Sequence, residues 1–77
     1  MNEEAMLLDG FWDACLGGDY KDGKAVYSIE KILKILMKRD GMTEEEALEY
    51  FDFNIAGAYV GEMTPMYVWT SAKYLIS

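Results

Sequence analysis

Apolar and polar positions recur along this chain with two periods. After Ser28, the residues Ile29, Ile32, Leu33, Leu36 and Met37 follow the spacing of one helical face. Ser28 is placed to cap that helix, and Glu30 and Lys34 pair on its other side. Ile35 widens the apolar arc, so the helix is expected to be covered on more than one flank. Lys38 and Arg39 suit the negative end of the dipole, and Asp40-Gly41 ends the run. A second helix starts in "MTEEEALEYF". Thr43 and Glu46 form a capping box, Met42 and Ala47 are placed for the hydrophobic staple, and three glutamates complement the positive end of the dipole.

Shorter segments read as strands. Asp22-Gly23 predicts a type I′ turn, which makes "FWDACLGGDYKDGKAVYS" a hairpin. Residues 25–27 are its better strand, and Gly17-Gly18 predicts a bulge in the arm before it. "MYVW", residues 66–69, is a strand by composition. Residues 1–10 read as a loose or short helical lead-in anchored by Met6, Leu7 and Leu8, and "TSAKYLIS" fits a short helix or a strand. The expectation is a single α+β domain over residues 1–77. It has a small antiparallel sheet in the order ββααβ, with two amphipathic helices packed on one face and the last strand beside residues 25–27.

The stretch "EYFDFNIAGAYVGEMTP" carries the most distinctive pattern. On a helical wheel Ala47, Phe51, Asn54, Ile55 and Ala58 share one face, which places an amide among apolar neighbours. A buried amide needs partners, and the nearby turn at residues 61–65 is the expected supplier. Ala56-Gly57-Ala58 offers little side chain, so another backbone can approach closely. Gly61 suits a left-handed helix cap, and Thr64-Pro65 forces an extended or turn conformation. Gly57, Gly61 and Pro65 are thus expected in turn and close-packing roles.

Composition narrows the chemistry. The chain has 77 residues, of which 52% are hydrophobic, including two Trp, six Tyr and three Phe. A domain this small buries a limited share of its surface, so part of that apolar area is expected to meet a second copy, a protein partner or a ligand. Fourteen acids against seven bases give a net charge of −7, which disfavours direct binding to a phosphate backbone. The single Cys15 cannot form an intrachain disulfide and points to a reducing compartment. The N-terminal segment is acidic and lacks the apolar core of a signal peptide, and no uncharged run is long enough to span a bilayer. A cytoplasmic protein is expected.

No catalytic or metal-binding constellation is legible. The chain has no histidine, and its one cysteine lacks both zinc spacing and an activating base. "LGGDYKDGK" lacks the phosphate-loop spacing. Consecutive Glu44, Glu45 and Glu46 splay about 100° apart on a helix and cannot converge on one ion. No cofactor and no enzymatic activity are expected. The candidate binding residues are the polar-tipped aromatics Tyr50, Tyr59, Tyr67 and Trp69, with Asn54, Glu62 and Thr64 as the polar groups near them.

Residues 27–68 resemble a family of small proteins encoded by bacteriophages and prophages. The resemblance lies in "VYSIEKILKILM" and "DGMTEEEALEYFDFNIAGAYVGEMTPMYV", and upstream "DGFWDACLGG" is similar to the segment that precedes the first strand in such proteins. It implies a setting, the cytoplasm of an infected or lysogenic bacterium, and no reaction, cofactor or partner. The leading expectation is a non-enzymatic phage accessory protein that binds a host or phage protein, acts as an inhibitor of a host or defence component, and forms a homodimer. The alternatives are a small-ligand protein that sequesters a nucleotide signal, and an acidic DNA mimic built on Glu45, Glu49 and Asp52.

Overall fold

A computed structural model describes residues 7–8, 10–58 and 61–70. Strand β1 (Cys15–Gly18) follows a short 3-10 turn at Trp12–Ala14 and pairs antiparallel with β2 (Ala25–Ser28). Helix α1 (Ile29–Asp40) leads to α2 (Glu44–Tyr50), which continues as a π-helical segment (Phe51–Ala56) before β3 (Met66–Val68). The expected order ββααβ is present, and helices pack against a three-stranded sheet in a small α+β fold.

The sheet is mixed where an antiparallel one was expected. β3 lies beside β2, with Tyr67 opposite Tyr27, but runs parallel to it. Strand composition carries no direction. A parallel neighbour needs a long crossover, and the helical stretch between β2 and β3 supplies it.

Local signals explain the element ends. Ser28 is both the last residue of β2 and the cap of α1, its Oγ accepting the Lys31 N–H at 3.3 Å. Gly41, at φ 68°, closes α1 in the left-handed conformation. At α2 the Glu46 N–H donates to Thr43 Oγ1 at 3.1 Å, and the Thr43 N–H donates to Glu46 Oε1 at 2.9 Å. The expected bulge is present between Cys15 and Gly17. The hairpin loop is longer than the type I′ turn expected. Gly23 has φ 70° but Asp22 has no positive φ, and the Asp19 carboxylate takes the Asp22 N–H at 2.7 Å. That side-chain bond stabilises residues 20–23 as a wider loop that requires positive φ only at glycine.

One core joins the layers. Tyr27, Ile32, Leu36 and Ser28 are its largest fully buried side chains, with Phe11, Leu33, Ala47, Phe51 and Ile55 around them. Met42 and Leu8 pack against this cluster, whereas Leu7 and Met37 are exposed. The Tyr67 ring meets Phe51 edge-on at 5.2 Å and lies 6.4 Å from Tyr27, joining β3, the π segment and β2. Arg39 stacks over Phe11 at 4.9 Å and donates to the Gly10 carbonyl, fastening the segment before β1 to the end of α1. No helix among the described residues is long and apolar enough to cross a membrane. The expectations for residues 1–6, for Tyr59 and Val60, and for residues 71–77 fall outside the described residues.

Candidate functional site

The π segment decides what the second helix shows to solvent. Hydrogen bonding from i to i+5 widens each turn by roughly one residue. Ala47, Phe51 and Ile55, four apart, stay buried in the wider turn. Asn54, three after Phe51, falls out of phase and is exposed, as is Ala58. The expected inward amide is therefore corrected: Asn54 stands at the surface, where water can satisfy it.

Gly57 belongs to the same device. A Cβ there would lie 3.0 Å from the Asp52 carbonyl oxygen and 3.2 Å from that of Phe53. The backbone that approaches this glycine is its own π turn, at Asp52 and Phe53, not a strand. Gly61 is likewise no helix cap, because the helical run ends at Gly57. At φ 117° it opens a turn in which its carbonyl accepts both the Thr64 N–H, at 3.2 Å, and the Thr64 hydroxyl, at 2.7 Å. Pro65 is buried beyond that turn and leads into β3.

The candidate side chains separate into different places. Tyr50 and Asn54 line a shallow groove of about 370 Å³ together with Met42, Glu46, Glu49 and Phe53. Tyr67 and Trp69 are half-buried against the core. Thr64 is held in its turn, Glu62 is exposed, and Tyr59 lies outside the described residues. Phe53, which the wheel sets beside the polar side as if partly covered, was not among the candidate binding residues, yet it is the ring most exposed on α2 and its extension at 76% accessibility. The available signal was its position between Asp52 and Asn54 on the polar flank of the wheel. Glu46, read only as a capping residue, also lines the groove.

Charge is segregated around this groove. Every cation of the chain except Lys73 lies between Lys21 and Arg39. Residues 43–57 carry Glu44, Glu45, Glu46, Glu49 and Asp52 with no lysine or arginine, and all of these acids are exposed. The groove thus combines two exposed rings and a thioether with carboxylates, a surface suited to an apolar side chain flanked by cations. Among the described residues no group of three or more His, Cys, Asp or Glu side chains is placed to hold a metal ion.

A second polar cluster is structural. Glu30 accepts from the Thr70 backbone N–H and, at 2.8 Å, from its hydroxyl, while Thr70 Oγ1 lies 3.0 Å from Ser28 Oγ. These bonds tie the chain just beyond β3 to the start of α1. Comparison of the chain with protein-family models, curated proteins and solved structures finds no match.

Proposed function

We propose that this chain is a non-catalytic protein-binding module, a bacteriophage or prophage accessory protein acting in the bacterial cytoplasm, whose docking surface is the outer face of α2 and the π segment. The observation that carries the reading is the exposure of Phe53 and Tyr50 beside Glu46 and Glu49 in one groove. Burying such rings supplies affinity, and the carboxylates select a partner that presents cations. The phage setting rests on the resemblance of residues 27–68. Occupying a basic, functional face of a host or defence protein is the mode of inhibition this surface suits.

The nucleotide-signal reading is weaker on physical grounds. An anionic ligand in this groove would meet Glu46 and Glu49, with no lysine or arginine between Asp40 and Ala72 to receive it. DNA mimicry would use the ridge of Glu45, Glu49 and Asp52, which shares Glu49 with the groove, and not the rings.

Affinity capture from bacterial lysate with three forms of the chain tests the reading. The wild type and Tyr20→Asp, altered at the fully exposed hairpin ring, are expected to retain the same protein; Phe53→Asp is expected to lose it. Equal recovery by all three forms would reject this face. In a further form, loss with Glu45→Gln/Glu49→Gln/Asp52→Asn but not with Phe53→Asp would favour the DNA mimic.

A further inference from the structure

The outer faces of the two helices are complementary in sign and in register. On α1, Lys31, Lys34 and Lys38 are all exposed and fall on the side opposite Ile32, Leu33 and Leu36. On α2 and its extension, Glu45, Glu49 and Asp52 are exposed and lie opposite Ala47 and Phe51. Among the described residues none of these six groups is engaged in an ion pair. When an α1 is laid antiparallel along an α2, Lys31 falls opposite Asp52, Lys34 opposite Glu49 and Lys38 opposite Glu45. The axial steps match at each position, since each set spans two turns or about 10 Å.

We propose that this face is an isologous dimer interface, in which α1 of each protomer lies antiparallel along α2 of its partner. A two-fold contact must be self-complementary, and a basic helix packed beside an acidic helix meets that condition where their outer rows face the same partner. The charges set register and orientation, while Phe53, Tyr50 and Leu48, exposed along the acidic helix, supply the apolar area that surface ion pairs lack. This deepens the docking reading and rests on it: a second copy occupies the face that a cationic partner takes, so partner and copy compete.

Two charge-reversed chains test the pairing by sedimentation. Lys31→Glu/Lys34→Glu/Lys38→Glu leaves both helices acidic, and Glu45→Lys/Glu49→Lys/Asp52→Lys leaves both basic. The wild type is expected to be a dimer, and each reversed chain is expected to associate on the order of a hundredfold more weakly. Mixed in equal amounts, the two are expected to form a heterodimer, because each basic helix again meets an acidic one. Should a triple reversal unfold, the single changes Lys34→Glu and Glu49→Lys provide the same comparison. A wild type that sediments as a monomer up to about 1 mM, or reversed chains that fail to pair on mixing, would overturn the proposal. A monomeric wild type whose Phe53→Asp form still loses its captured protein would leave the docking face standing and remove only the self-pairing. Restored pairing alongside capture indifferent to Phe53 would do the reverse.

Discussion

Tyr27 and Tyr67 show how one side chain links packing to solution behaviour. Burial pushes both phenols above their ordinary 10.0, although the Leu8 N–H donated to Tyr27 Oη pulls the other way. The fold favours the neutral phenol, so the folded chain holds these protons to higher pH than the unfolded chain does. Their contribution is complete below pH 10 and is lost as pH rises through the folded values. Urea denaturation between about pH 9 and 12 is expected to show stability falling with pH, and Tyr67→Phe is expected to flatten the fall. An unchanged slope in that variant would remove Tyr67 from the account. Phe53 is the opposite case. At 76% exposure it contributes little to the core, so Phe53→Asp is expected to keep the wild-type fold by circular dichroism while altering binding.

At the level of elements, the π segment is the feature with the largest consequence. It keeps Ile55 inward, releases Asn54 and sets the flank on which Tyr50 and Phe53 stand. Gly57 makes it possible, because the Asp52 and Phe53 carbonyls occupy the space a side chain would take. Its φ of −77° is open to any residue, so an alanine would ordinarily stabilise the chain through the unfolded state. Here Gly57→Ala is expected to destabilise by about 1–3 kcal/mol, measured by chemical denaturation. A gain in stability would mean that the π turn relaxes without cost.

For the whole molecule, small size sets the margin. The core is a single cluster in which Leu36 and Ile32 are fully buried between helix and sheet. Truncating such a leucine costs about 2–5 kcal/mol, comparable with the whole stability of a domain this small. Leu36→Ala is therefore expected to be largely unfolded at 25 °C by circular dichroism, whereas Lys34→Gln on the opposite face of α1 is expected to remain folded. The charge pattern also acts at this scale. The exposed lysines of α1 and the exposed acids of α2 give two packed helices opposite surface signs, the feature on which the proposed docking and pairing rest.

What was legible in the chain is what depends on a few neighbouring residues. Ser28, Thr43 with Glu46, and Gly41 satisfy backbone groups within a turn of themselves, so their roles follow from spacing alone, as do the buried stripe of α1 and the bulge at Gly17. The direction of β3, the wider hairpin loop and the outward turn of Asn54 were not legible. Strand direction depends on how the helices return the chain, and a widened turn depends on how Phe51 and Ile55 settle against Tyr67 and the core. Those outcomes are set by contacts between residues far apart in the chain, which no local pattern encodes.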